Sequence, residues 1–153
     1  MLDSSASSAT VLRPGWMGLL AQAAPEDLEA HWQSLAPQPG YTLLRPAETG
    51  LVMVRGRISG SGAPFNLGEM TMTRCAVRMA EGPVGFGHVA GRNRRHAELA
   101  AIFDALLQDR HRHDGLQDSL IAGLVRARDA ARSADRAEIA ATRVDFFTLA
   151  RGE

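Results

Sequence analysis

The segment from Gly91 to Glu98 is the part of the sequence whose residue types most clearly suggest chemistry. It contains Arg92, Arg94, Arg95 and His96 at the expected start of a helix. Positive side chains are unfavourable at a helix N-terminus unless an anion or an acidic partner compensates them. The segment therefore predicts contact with an anion or an acidic partner, or alternatively a solvated basic turn. The residues alone leave both interpretations open.

Two pairs of arginines lie in predicted strands, and in each pair the two residue numbers differ by an even number. Arg74 and Arg78 share one face of a strand, and Arg55 and Arg57 share a face of another. Because a guanidinium group matches carboxylate and phosphate in a bidentate way, such pairs suit a charged contact surface. We interpret them as the rim of a subunit interface in preference to a substrate clamp.

The histidines and the single cysteine do not form a recognisable metal site. His88, His96 and the pair His111 and His113 are widely separated, and the pair is expected in a charged loop between helices. Structural zinc requires four Cys or His ligands, usually in close pairs. No metal site is predicted, and Cys75 is expected to be a buried strand residue.

No complete active site is visible in the sequence. The glycines of Gly60-Ser61-Gly62 lie between two predicted strands, whereas a phosphate loop must lead from a strand into a helix. We interpret them as a turn. A Ser-His-Asp order, a carboxylate pair and a nucleotide fingerprint are also lacking, so no catalytic residue is predicted.

Composition excludes several classes of protein. The 153 residues suit one domain. The 17 basic residues, all of them arginine, balance 17 acidic residues, so a general nucleic-acid binder is not expected. No apolar run is long enough to cross a membrane, and no signal peptide is recognisable. With one cysteine no intramolecular disulfide can form, and we expect a cytoplasmic protein.

The chain divides into a short tail and one domain. Residues 1–13 are Ser- and Ala-rich at their start and are expected to be a disordered tail, with a single domain over 14–153. Trp16, Leu19 and Leu20 recur at helical spacing, and Pro25 suits the first position of a second helix. The sequence therefore predicts two N-terminal helices.

The middle of the chain has the pattern of strands and the last third that of helices. Strands are expected over 41–45, 51–58, 65–79 and 84–90, with a bulge or a break at Gly68. Short connecting turns indicate antiparallel pairing. Asn93 is expected to cap a helix beginning at Arg94, and a break at 111–115 precedes a second helix from Leu116. The fold class is α+β, an antiparallel sheet of about four strands with two N-terminal and two long C-terminal helices.

The C-terminal segment 144–149 is unexpectedly apolar. It contains Val144, Phe146, Phe147 and Leu149, and its two faces in an extended conformation both carry apolar groups. Burial on two sides is expected. Part of that cover is expected from a second chain, either another copy in the isolated protein or a partner subunit.

Several motifs together resemble one protein family. They are Ala47-Glu48-Thr49-Gly50-Leu51-Val52, Thr73-Arg74 with Ala76-Val77-Arg78, Gly91-Arg92 with His96-Ala97-Glu98, and Arg143-Val144-Asp145-Phe146-Phe147-Thr148 with Arg151-Gly152. In this order and spacing they closely resemble the PhnG family of the bacterial carbon–phosphorus lyase system. The resemblance runs from about Trp16 to the C-terminus.

The resemblance implies a role inside a complex. PhnG acts with PhnI, PhnH and PhnL to displace adenine from ATP with a phosphonate, which gives α-D-ribose 1-methylphosphonate 5-triphosphate from methylphosphonate. PhnG also joins a core complex with PhnH, PhnI and PhnJ. The expectation is a required but non-catalytic subunit, without a cofactor of its own, that contacts neither nucleic acid nor membrane. ATP and the phosphonate are then substrates of the complex.

Particular residues follow from combining these arguments. A subunit boundary or a shared phosphate-rich site is expected at the positions where Arg chemistry or an apolar tail coincides with the resemblance. Those positions are Arg74, Arg78, Arg92, His96, Glu98, Phe146 and Phe147. The alternative is an autonomous nucleotide- or phosphate-binding enzyme that uses the segment from Arg92 to His96.

Overall fold

The computed structural model describes residues 11–58 and 60–142. Two short helices open the fold: α1 spans Arg13–Gln22 and α2 spans Pro25–Ser34. Pro25 occupies the first turn of α2, followed by Glu26 and Asp27, which suit the positive end of the helix dipole. Both predicted N-terminal helices are confirmed.

The packed domain begins before the predicted boundary at residue 14. The backbone N–H and C=O of Val11 both bond to the side chain of Gln117, at 3.3 and 2.9 Å. Arg13 is already helical. The predicted tail therefore ends earlier than expected, and its first ten residues lie outside the described ranges.

The sheet is an antiparallel meander with the order β1-β2-β3. Strand β1 covers Tyr41–Arg57, β2 covers Pro64–Met79 and β3 covers Val84–Ala90. The α+β class is confirmed, but among the described residues the sheet has three strands where about four were predicted. The segments 41–45 and 51–58 belong to one long strand, which passes Pro46 through register shifts near Arg45 and Glu48. Proline is tolerated there because β1 is an edge strand.

The predicted bulge in β2 is confirmed. Val54 pairs with Gly68 and Arg55 pairs with Asn66, so Leu67 is an extra residue on its strand. The turn predicted at residues 60–62 is also confirmed. Gly60 has a φ of +71°, a left-handed conformation that glycine adopts without steric cost.

The helices of the last third differ from the prediction at one point. Helix α3 spans Arg94–Gln108, capped by Asn93 as predicted. The expected loop at 111–115 is wrong, because α4 spans Arg110–Leu116 and runs through a π-helical turn, Gln117–Ile121, into α5, Ala122–Ala141. The break lies at Asp109 instead, whose side chain caps α4 by accepting from His111 N–H at 2.9 Å.

The core forms where α3 lies across one face of the sheet. Strand residues with odd numbers, such as Cys75, Val77 and Val89, face this helix and are buried. Helices α1 and α2 also pack on α3, with Leu20 and Leu28 buried. Helix α5 leaves the core after Leu124, since every residue over 129–142 is exposed. Of the helices described, none is long and apolar enough to cross a bilayer.

Candidate functional site

The outer face of the sheet carries the first pair of predicted site residues. Arg74 and Arg78 are both exposed on β2, on the side opposite α3. Arg74 pairs in register with Glu48 on β1 and with His88 on β3. The predicted sharing of a strand face is thereby confirmed, and it produces a charged band across all three strands.

Glu48 bridges two arginines within this band. Its Oε1 accepts from Arg74 Nε at 2.7 Å and from Arg45 Nη1 at 2.6 Å. The hydrogen bond from Arg45 and then that from Arg74 lower the pKa of Glu48. Glu48 and Arg74 line a surface cavity of about 510 Å³ with Thr49, Met72 and His88. Because Glu48 already neutralises part of the local charge, Arg74 is less available to a ligand than Arg78.

His96 is not presented to solvent at the start of α3. Its side chain is 7% exposed, and its Nε2 lies 2.8 Å from the carbonyl oxygen of Leu20. Its backbone N–H donates to Asn93 Oδ1 at 2.9 Å. The structure therefore uses His96 to join α3 to α1, a placement that does not favour the expected contact with a partner or phosphate.

Arg95 explains why an arginine-rich segment can begin a helix. Its Nε donates to Glu29 Oε2 of α2 at 2.7 Å, and its Nη1 lies 3.4 Å from Glu98. The hydrogen bond from Arg95, followed by that from Gln33, lowers the pKa of Glu29 to about 2. The acidic partner expected from the sequence is thus supplied within the chain, at least for Arg95.

Glu98 is also engaged in an internal contact. It accepts a hydrogen bond from the Tyr41 hydroxyl at the beginning of β1. Burial, followed by the hydrogen bond to Glu98, raises the pKa of Tyr41. Tyr41 in turn packs edge-to-face on Trp32, with ring centroids 5.9 Å apart. Glu98 therefore ties the sheet to α3, and only 23% of its side-chain surface remains accessible.

Arg92 is exposed at the start of the segment, as Arg94 also is. It follows Gly91, whose φ of +85° turns the chain out of β3 and towards α3. Within the described ranges neither Arg92 nor Arg78 has an ion-pair partner. These two arginines are the predicted residues that the fold leaves most accessible. Phe146 and Phe147 lie outside the described residues.

Cys75 is buried as predicted. Its thiol donates to the carbonyl oxygen of Arg45 at 3.3 Å. Burial, and to a smaller extent the charge of Glu98, raises its pKa to about 11. A thiol with this pKa is protonated at neutral pH and is a poor nucleophile. Across the part of the chain that the structure describes, no three His, Cys, Asp or Glu side chains come together as a metal site.

Asp104 is a buried polar residue that sequence reasoning missed. The side chain is fully buried in α3, and both of its oxygens accept hydrogen bonds. Oδ1 accepts from Trp16 Nε1 at 2.9 Å, and Oδ2 accepts from the backbone N–H of Phe86 at 2.9 Å. Arg13 adds bonds to both oxygens, at 3.1 and 2.8 Å. A single aspartate within the apolar run 99–107 was the signal that could have revealed it.

Comparison with known proteins covers nearly the whole chain. The family model described as phosphonate metabolism protein PhnG matches residues 12–152. The chain belongs to the PhnG family. One relative in this family, from Rhizobium meliloti (strain 1021), is named alpha-D-ribose 1-methylphosphonate 5-triphosphate synthase subunit PhnG. It is 44% identical over 159 residues, which cover 100% of this chain and 99% of the relative.

Membership of the PhnG family confirms the resemblance identified from the sequence motifs. The match spans the charged band on the sheet and the start of α3, and it reaches beyond the described residues into the apolar C-terminal segment. Phosphonate metabolism, expected from the motifs, is the process named in the family description.

Proposed function

We propose that this PhnG-family chain is a required, non-catalytic subunit of the complex that makes α-D-ribose 1-methylphosphonate 5-triphosphate. The observation that carries the proposal is the end-to-end match to a relative bearing the name of such a subunit, at 44% identity. The complex transfers a phosphonate to the ribose C1 of ATP and releases adenine.

The internal contacts of the candidate residues support a non-catalytic role. The ring of His96 is bonded to Leu20, and the carboxylate of Glu98 is bonded to Tyr41. Cys75 is held as a thiol. Groups that a reaction needs as a general base or a nucleophile must reach the substrate, and these three groups instead stabilise the fold.

The same contacts argue against an autonomous nucleotide site at the segment from Arg92 to His96. A helix N-terminus binds phosphate through free backbone N–H groups. At α3 one such N–H, that of His96, already donates to Asn93, and Arg95 is paired with Glu29. Much of the segment therefore serves packing, while the exposed Arg92 and Arg94 remain able to contact another molecule.

The partners in this proposal are the PhnI, PhnH, PhnJ and PhnL subunits, in the cytoplasm. ATP and the phosphonate bind to the assembled complex, and this subunit holds no cofactor of its own. In the isolated protein, another copy of the chain can take the place of a partner and give a homo-oligomer. The exposed arginines Arg78 and Arg92 are proposed to lie at or near a boundary between subunits.

Reconstitution with purified subunits tests the proposal. Adenine release from ATP in the presence of methylphosphonate is measured with and without this chain, and ATP binding to the chain alone is measured by calorimetry. We expect release only from the full mixture and no binding by the chain alone. Micromolar binding or turnover by the isolated chain would establish the autonomous enzyme instead. Full activity without this chain would show that it is not required.

A further inference from the structure

Strands β1 and β2 continue well past the end of β3. Strand β3 pairs with β2 only from Met72 to Arg78, after which Gly91 turns the chain away from the sheet. Residues 51–57 of β1 and 64–70 of β2 therefore form a two-stranded extension, here called the distal ribbon. Its register is continuous apart from the bulge at Leu67.

The distal ribbon exposes an unusual amount of apolar surface. On the face continuous with the α3 side of the sheet, Leu51 is 64% exposed and Met53 is 51% exposed. At the bulge, Leu67 is 66% exposed. On the opposite face Val52 pairs directly with Met70, and both are half-buried. Apolar side chains thus occupy both faces of a structure only two strands wide.

One other strand edge is covered by a helix. The outer edge of β3 is closed by α3, because Asp104 accepts from the N–H of Phe86 and Gln108 donates to the carbonyl oxygen of Val84 at 2.9 Å. Comparable side-chain contacts are not made to the distal ribbon by the helices described here. A two-stranded ribbon in water is marginally stable by itself, and contiguous exposed apolar surface marks a contact region.

We propose that the distal ribbon inserts into an apolar cleft of a partner subunit in the synthase complex. The inference rests on the proposed function, which supplies the partner. A cleft is required, as opposed to a flat surface, because both faces of the ribbon carry apolar side chains. Arg55 and Arg57 lie near the end of the ribbon, and Glu69 is its one acidic residue. Because the end of the ribbon is basic, we expect acidic groups where the partner's cleft receives it.

One cavity of this chain is a poor site for the ribbon of a second copy. The cavity between α1, the π-helical turn and α5 has a volume of about 760 Å³. That is the size of a small-molecule pocket, too small to enclose a ribbon of two seven-residue segments. Its walls include Asp114, Asp118, Arg126 and Arg128, which suit polar contacts better than an apolar ribbon.

The test uses substitutions on each face of the ribbon separately. One variant carries Leu51→Thr and Met53→Thr, and the other carries Val52→Thr and Met70→Thr; threonine keeps the strand preference. Ile139→Thr is the matched control, since Ile139 is 69% exposed on α5. Binding to each purified partner subunit is measured by calorimetry, with circular dichroism to check folding. Hydrogen exchange of amides 51–57 and 64–70 locates the contact.

Insertion predicts that each ribbon variant binds its partner at least tenfold more weakly while folding normally. It also predicts that the control binds like the unmodified chain and that the ribbon amides become protected only in the complex. Normal binding by both variants, or a loss confined to one face, overturns insertion and leaves the subunit role intact. Insertion is also overturned if the ribbon amides are already protected from exchange in the isolated chain, either by a second copy or by the chain's own C-terminus. If no partner binds the unmodified chain, the proposed function itself fails.

Discussion

Gly87 of β3 lies directly against the backbone of Ala97 in α3. A Cβ atom built on Gly87 would lie 2.0 Å from the carbonyl oxygen of Ala97, and one on Gly85 would lie 1.9 Å from that of Ala101. Both distances are far shorter than any real contact, so the helix can approach this strand only because both positions are glycine. The alternation of glycine with Phe86 and His88 thus sets the position of α3, which in turn holds His96, Glu98 and Asp104.

Gly87→Ala is predicted to destabilise the fold, because the clash is with backbone atoms that cannot rotate away. Overpacking of this kind typically costs about 1–3 kcal/mol. Urea unfolding followed by circular dichroism measures the loss. Gly50→Ala in β1 is the control, since a Cβ there meets nothing within 4 Å. Equal stability of the two variants would contradict the close approach of β3 and α3.

Asp104→Asn is predicted to lower the free energy of unfolding by about 3 kcal/mol, in the range for breaking buried charged contacts. Both carboxylate oxygens accept from N–H donors, so the new amide group must face a donor in either orientation. Thermal unfolding is the measurement. Asp129→Asn serves as control, because Asp129 is 58% exposed in its pair with Arg128, and little change is expected there. A mild effect at Asp104 would argue against the network.

Glu29 is predicted to make stability depend on pH in the acid range. Hydrogen bonds from Arg95 and then Gln33 lower its pKa from the usual 4.5 to about 2 in the folded chain. The contribution is therefore complete above pH 4.5 and is lost as the pH falls towards 2. The difference in Tm between the unmodified chain and Glu29→Gln should be largest near pH 6, should shrink below about pH 4.5, and should vanish only once the pH has fallen below about 2. A difference that is constant with pH would show that the ion pair contributes nothing.

Arg78→Ala and Arg92→Ala are predicted to weaken assembly with partner subunits without affecting folding. Both side chains are exposed, and neither has an ion-pair partner in the described ranges. Losing one partner of a buried interfacial charge pair costs about 2–5 kcal/mol. Co-elution with the partner subunits and adenine release by the reconstituted complex are measured for both variants. Arg110→Ala is the control, because Arg110 is an exposed arginine on α4. Full activity of both variants would leave these arginines as ordinary solvated residues.

The sequence was sufficient where the signals are local. Pro25 at the start of α2, Asn93 before α3 and the glycine turn at Gly60 each act through their own backbone conformation or nearest N–H groups. These features need no contact across the fold. The motifs that identified the PhnG family are likewise patterns of residues along the chain, and the match over residues 12–152 confirmed them.

The tertiary structure decided what the candidate side chains do. The sequence shows His96 and Arg95 as part of one basic cluster, but their roles depend on Leu20 and Glu29, which lie 76 and 66 residues away. The continuous strand past Pro46 likewise depends on its pairing with β2, and the buried Asp104 depends on Trp16 and Phe86. Contacts at such separations arise only when helices and strands pack together, because local propensity carries no information about which distant group will satisfy a charge.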